Sequence, residues 1–397
     1  MNKELWQKAH KLLNAEINPI YHDVAGLLGE EFRKSRYLPW LMSRYMTVDQ
    51  ARVVLALPDA DWLPSLGDLN ISETFAKKLG IDKKTIDGGL LALFEKGFIF
   101  PTKRGPRPPR TFVGWFDIQH NTHYRNELGE EWFIVLGMML DYEYSEEVDN
   151  TIAKRLAAGL PPLARVIPRW KTIKDVPGKL PSEDIREILK ANRTFGLLNC
   201  ACRQRYPDRG CNSPETVCLV LGKAAEYNIR RRAARQITRE EALDIFTNVT
   251  ADYSVIHVGS RGENPGDIAG IICSCHADCC VVLRKPMVIG SKYPVWEHYA
   301  KSRYRAIVDL DKCSGCGLCE KKRCQFGAAQ MRYYPDYIEQ RSYTNEAICM
   351  GCGCCVESCP KGARSMKIVE PPESVTKMPD FRSLIADAAY IQPADKK

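Results

Sequence analysis

The sequence predicts an α+β chain with a mostly helical N-terminal half and a second half organised around cysteine. Three observations predict it. Apolar residues recur at helical spacing through much of the first two hundred positions. All 17 cysteines lie at or beyond Cys200. Eight of them form two runs of nearly equal spacing, Cys313 to Cys324 and Cys349 to Cys359. Thiols this crowded point to metal, because disulfide staples suit small secreted domains short of core.

Composition narrows the class. Of 397 residues, 45% are apolar and 27% charged, as in ordinary globular chains. The 57 basic and 49 acidic residues leave a net charge of +8, spread along the whole chain. A dedicated polyanion surface would concentrate that excess, so a nucleic-acid partner is not expected. No apolar run is long enough for a membrane span, and Met1 to Trp6 opens neither a signal-peptide core nor a twin-arginine signal. The expected location is the cytoplasm.

Residues 1–46 read as N-terminal helices, with Leu12, Leu13, Ile17, Val24, Leu27 and Leu28 forming an apolar stripe. Thr47 and Gln50 form a capping box ahead of Ala51 to Leu57. Ser72 caps a helix ending at Gly80, and Ile81-Asp82 opens another that ends near Gly97. Phe98 to Phe100 then reads as a strand, Lys103 to Arg110 as a basic hairpin tip and Thr111 to Phe116 as the return strand. This order over 47–116 resembles a winged helix. The resemblance implies a recognition helix at Asp82 to Lys96 and a wing at Lys103 to Arg110. Bidentate base readers are absent from that helix, which favours protein docking over sequence-specific DNA binding.

Residues 117–185 read as a helical connector punctuated by prolines, with an amphipathic segment at Glu130 to Tyr142. A second helix is expected from Ser182 to Asn192, and a capping box at Thr238 and Glu241 precedes Ala242 to Phe246. His257 to Gly262 reads as a connecting loop. Arg203 and Arg230 to Arg232 read as a solvated helix face with one or two charges near a cluster, and contact to an acidic partner or phosphate is the alternative. The polar tail 371–397 has room for a short helix around Phe381 to Tyr390. Nicotinamide, P-loop, serine-hydrolase and zincin motifs are all missing.

The two late runs read Cys313-x2-Cys316-x2-Cys319-x4-Cys324 and Cys349-x2-Cys352-x2-Cys355-x3-Cys359-Pro360. A C-x2-C-x2-C loop can wrap three corners of a cubane, and Gly315, Gly317, Gly351 and Gly353 permit the positive φ angles this needs. Zinc is the competing metal for four-cysteine sites. Residues 301–370 resemble the two-cluster bacterial ferredoxins. The resemblance implies two [4Fe–4S] clusters with crossed ligation, the last cysteine of each run serving the other cluster. Cluster one then takes Cys313, Cys316, Cys319 and Cys359, and cluster two takes Cys349, Cys352, Cys355 and Cys324. The first run departs from that pattern, with four residues before Cys324 and Gln325 where proline is usual. Cys354 is spare and reads as a small buried apolar residue.

Residues 186–300 form a second cysteine field: Cys200, Cys202, Cys211 and Cys218, then Cys273, Cys275, Cys279 and Cys280. Eight thiolates suffice for two cubanes, or for one with spares, while zinc and structural thiols remain alternatives. The field and the late runs together resemble a broad family of prokaryotic iron–sulfur proteins with a C-x-C-R segment, a C-x-x-P-x-x-x-C-L segment and a ferredoxin module. That resemblance implies one or two additional [4Fe–4S] clusters. His276 reads as a ligand or as a hydrogen bonder to one.

The expected function is electron transfer, as a subunit or ferredoxin partner of an anaerobic cytoplasmic oxidoreductase whose partner subunit carries flavin or metal. The alternatives are a small-molecule reductase with an open-site cluster in the middle field, and a redox-sensing winged-helix regulator.

Overall fold

The computed structural model describes residues 3–57, 71–102, 105–109, 111–116, 125–205, 212–268 and 270–376. Cys211, Lys103, Arg104, Arg110 and the tail expected to carry a helix near Phe381 lie outside them. Among the described residues no helix is long and apolar enough to cross a membrane.

The N-terminal third is helical. It holds α1 (Lys3–Leu12), α2 (Ile20–Leu27), α3 (Leu38–Tyr45), α4 (Val48–Ala56), α5 (Glu73–Leu79) and α6 (Lys83–Lys96). The Thr47–Gln50 capping box forms in both directions, at 2.9 and 3.2 Å. Ser72 and Asp82 cap α5 and α6, and Gly80 and Gly97 end them with φ of 65° and 88°. Such caps are each worth about 1 kcal/mol.

A hairpin follows, β1 (Phe100–Thr102) against β2 (Gly105–Arg107), with Phe100 opposite Arg107. The return strand is therefore shorter and earlier than the sequence suggests. Pro108 and Pro109 cannot extend the ladder, having no N–H to donate. Thr111 instead caps a helix turn, accepting from Gly114 N at 3.0 Å, and α7 runs Phe112–Phe116.

After α8 (Arg125–Leu128) comes α9 (Glu130–Asp141), which is buried on all sides from Trp132 to Leu140 and so is not amphipathic. It is the axis of an aromatic core. Tyr45 stacks on Trp132 at 5.9 Å, and the Trp132 indole donates to Leu41 O at 3.1 Å. α10 (Glu143–Ala157) closes this part.

The middle of the chain is a six-stranded antiparallel sheet in the order β3-β7-β8-β5-β4-β6. Its strands and helices run β3 (Ala164–Ile167), α11 (Trp170–Ile173), α12 (Ile185–Lys190), β4 (Phe195–Asn199), α13 (Ala201–Gln204), β5 (Thr216–Leu221), α14 (Lys223–Arg230), β6 (Ala234–Ile237), α15 (Arg239–Asp244), β7 (Ile256–Ser260) and β8 (Gly270–Cys275). The expected connector thus contributes a strand, β3, held by Ala164↔Ser260 to Ile167↔His257. The helix expected from Ser182 starts at Ile185, behind an Asp184 cap. The helix expected to reach Phe246 stops at Asp244 and passes into one wider turn, Ile245–Val249.

His257 lies on β7, not in a loop. Its ring sits against Ser274 Oγ at 3.2 Å and edge-on to Phe246, and burial holds its pKa well below the ordinary value. It is a neutral core residue. Arg231 is likewise buried, donating to Glu95 O at 3.2 Å and Asn228 Oδ1 at 3.1 Å, while Arg230 and Arg232 are exposed. Arg203 and Arg231 are buried, so only Arg230 and Arg232 belong to a solvated face.

The chain then forms α16 (Val281–Arg284), α17 (Val295–His298), β9 (Tyr304–Val308), β10 (Ala329–Arg332), β11 (Arg341–Thr344), α18 (Cys354–Glu357) and β12 (Arg364–Ile368). β9 pairs with β12 and β10 with β11, both antiparallel. Antiparallel sheets beside helices make the chain α+β.

Candidate iron–sulfur site

Strand alternation aims one set of thiols. On β5, Val217, Leu219 and Leu221 join one apolar layer while Cys218 and Val220 face the other. On β8, Ile272 joins the first layer while Ile271 and Cys273 join the second. Cys275, two residues on, shares the Cys273 face. Cys200 and Cys202 reach the same region from the end of β4 and from α13. Arg203 is buried among them. Burial works against its charge, but the neighbouring Cys200, Cys218, Cys279 and Cys275 outweigh burial and hold it firmly protonated. Cys279 turns its thiol to His276 O at 3.7 Å. His276 itself accepts from Asp278 N at 3.3 Å and shapes that turn. Among the described residues no three His, Cys, Asp or Glu side chains are placed to hold a single metal ion.

The late runs make two tight loops. Gly315, Gly317, Gly351 and Gly353 have φ of 70°, 70°, 68° and 81°, where only glycine is unstrained. A Cβ on Gly315 would lie 2.5 Å from Gln340 O, and one on Gly351 would overlap Ser302 Oγ and the Tyr304 carbonyl. Gly351→Ala is therefore expected to lose bound iron, since it adds a backbone clash to about 1–2 kcal/mol of left-handed strain. Gly362→Ala, at φ 57° with nothing within 4 Å of the new methyl, carries the strain alone. Iron content and visible absorbance of the two variants check this. Equal retention would refute the close-approach account.

One cavity is lined by Cys313, Cys316 and Cys319 of the first run together with Cys359 of the second. Cys316 is exposed and Cys319 buried. Ser342 N donates to Cys313 Sγ at 3.3 Å, and Cys319 Sγ lies 3.1 Å from Ser342 Oγ. Buried Cys349 and Cys355, with partly buried Cys324 against them, share an apolar cluster that also takes in Cys319. Ala329 N donates to Cys324 Sγ at 3.4 Å. Burial pushes the Cys324 thiol up, and pushes Cys355 up to about 12. Cys352 lies beside this group, its carbonyl accepting from Arg169 N at 3.0 Å. Thiols this deep are not ionised without a cation beside them, and amide donors aimed at sulfur suit thiolates bound to metal.

Residues 297–363 match the 4Fe-4S dicluster domain. No curated protein and no solved structure matches the chain. The dicluster domain establishes [4Fe–4S] binding and an iron–sulfur electron-transfer role. The cavity, which Cys355 also lines, is with its glycine turns and N–H···S bonds a donor set of the kind such clusters take.

Sequence reasoning missed two arginines that reach the cysteines of the dicluster domain. Arg169 enters from the loop after β3. It donates to Cys354 Sγ at 3.2 Å, Glu357 Oε2 at 2.5 Å and the carbonyls of Thr250, Tyr253 and Val255 at 2.8, 2.9 and 3.1 Å. Cys354 is buried as expected but is not merely apolar. Its bond with Cys352 and the Arg169 guanidinium push its pKa down to about 6. Arg364 donates to Ser342 Oγ and to Thr344 Oγ1, the latter at 2.5 Å, behind Cys355. No local pattern marks either arginine, since their partners are distant in sequence.

Proposed function

We propose that this chain is an electron-transfer subunit or dedicated redox partner of an anaerobic oxidoreductase. In this reading Cys313, Cys316, Cys319 and Cys359 hold one cluster, and Cys349, Cys352, Cys355 and Cys324 the other. The observation that carries it is the cavity where Cys359 joins the three cysteines of the first run. [4Fe–4S] clusters at these positions supply one-electron transfer without proton or group chemistry.

The residues divide the labour. The amides of Ser342 and Ala329 bond sulfur and stabilise its negative charge, which raises the potential of whatever that sulfur binds. Cys316 brings the first site to the surface, where Lys321, Lys322 and Lys361 are exposed. Cations at that edge suit an acidic redox partner carrying flavin or metal, and would speed its encounter at low salt. Nucleic acid is a poorer fit. Lys83 at the start of α6 is paired with Asp87, and Thr85 bonds Asp82, so few side chains there are free to read base edges.

The test is anaerobic purification followed by reduction with dithionite. Bleaching near the visible cluster bands, with the EPR signals of two interacting reduced clusters, is the expected result. An unchanged spectrum would overturn the electron-transfer role. Mass spectrometry of stoichiometric co-eluting chains then identifies the partner.

A further inference from the structure

The middle cysteines are arranged more narrowly than their number suggests. Continuing the register Leu219↔Ile272 and Val220↔Ile271 brings Cys218 opposite Cys273, on the side of the sheet away from the main apolar layer. Leu198 pairs with Cys218, and the bulge after it turns the chain so that Cys200 N bonds Glu215 O at 2.8 Å. Val281 N donates to Cys202 Sγ at 3.5 Å, which draws Cys202 against Cys280.

The thiols then close on themselves. Each thiol acts on its neighbours in turn, Cys202 on Cys200 and Cys280, Cys218 on Cys200 and Cys273, and Cys275 on Cys273 and Cys280. That is one ring of six sulfurs drawn from four segments of chain. Cys200, Cys218, Cys275 and Cys280 are buried and Cys202 and Cys273 partly so, with Ala201, Cys202 and Val281 packed against the N-terminal aromatic core. A fold gains little by gathering six weak hydrogen bonders where aliphatic groups would pack as well. A polynuclear centre explains the gathering, because its cationic iron can neutralise several buried thiolates at once.

A second observation says what kind of centre. Gln325, the residue standing where proline is usual, spans from the dicluster domain to this ring. Its amide donates to Cys275 O at 3.3 Å and Ser254 O at 2.9 Å, and accepts from Ala277 N at 2.8 Å. Gln325 directly follows Cys324. Cys275 and Cys280 also share one apolar cluster with Cys324, Cys352 and Cys354, with no intervening layer. A redox-inert zinc would have no use for that adjacency.

We propose that the ring of Cys200, Cys202, Cys218, Cys273, Cys275 and Cys280 holds a single further [4Fe–4S] cluster, seated beside the Cys324 site by Gln325. Four of the six thiolates suffice for a cubane, so the ring is one site and not two. The protein then contains a line of three sites, ending at exposed Cys316. One electron passes per hop; the giving site is oxidised by one electron, the receiving site is reduced by one, and no bond or proton changes place.

This rests on the dicluster reading, so the experiment separates the two. Iron, sulfide and zinc are measured on the anaerobically purified full chain and on a Cys200→Ala/Cys218→Ala/Cys273→Ala variant, which leaves three of the six thiols, too few for a cubane. The expected result is about twelve irons per wild-type chain and about eight in the variant. The variant should keep the coupled EPR signal of the dicluster pair, while the part of the wild-type signal broadened by a third neighbour disappears. About eight irons in the wild type, with or without zinc, overturns the proposal and leaves the dicluster domain standing. About sixteen irons overturns the single-site claim. A variant that loses iron but leaves the EPR line shape unchanged overturns the seating beside Cys324. Fewer than about eight irons in the wild type refutes the dicluster reading itself and this proposal with it.

Discussion

Cys316→Ala and Cys359→Ala are each expected to remove the same cluster, and together to remove no more than either alone. The two residues belong to different runs but face one cavity, so crossed ligation makes them partners. Each single variant should lose about four irons and the EPR coupling between the paired clusters. Cys359→Ala combined with Cys352→Ala, by contrast, should lose about eight, since those neighbours in sequence serve different sites. Uncrossed ligation predicts the reverse pairing, so the two double variants decide between them by iron content alone. In the proposed role, electron transfer to an external acceptor should fall to background in every one of these variants, because the exposed Cys316 site would be the exit.

Arg169→Met is the second large effect. The guanidinium is almost fully buried and answers a sulfur, a carboxylate and three carbonyls. Methionine fills much of the volume but donates to none of them. Removing one partner of a buried ion pair typically costs about 3–5 kcal/mol, because the group left behind is desolvated and unpaired. The loss should be local. Amides of residues 250–256 and 352–358 should lose hydrogen-exchange protection of that order, while those of α9 keep theirs. Lysine at 169 should recover only part, since one ammonium cannot reach five acceptors. Protection unchanged in both segments would show that Arg169 does not join them.

The legible parts of this protein were those whose cause is local. The Thr47 capping box, the Ser72 and Asp82 caps and the Gly80 and Gly97 stops are set by residues within four positions of one another, and all formed. The C-x2-C-x2-C loops with their glycines are local in the same way. The sheet was not legible, because β3 is a four-residue strand between prolines whose partner lies almost a hundred positions on. Without the sheet, the Cys273-Ser274-Cys275 spacing could not be seen as two thiols on one face. Arg169 and Gln325 were hidden for the same reason, their partners lying 48 or more residues away for every side-chain bond. The α9 periodicity misled in the opposite sense. Its polar ends suggested an amphipathic helix, whereas Trp132 to Leu140 are buried on every side.

The gradient from exposed Cys316 to the enclosed Cys218 also decides how such a protein dies in air. Dioxygen strips iron where it can reach sulfur, and the same opening that admits a partner admits the oxidant. Damage should therefore begin at the Cys316 site and proceed inward, reaching the buried cysteines last. A preparation exposed briefly to air would then look intact by total colour yet be electrically disconnected from its acceptor.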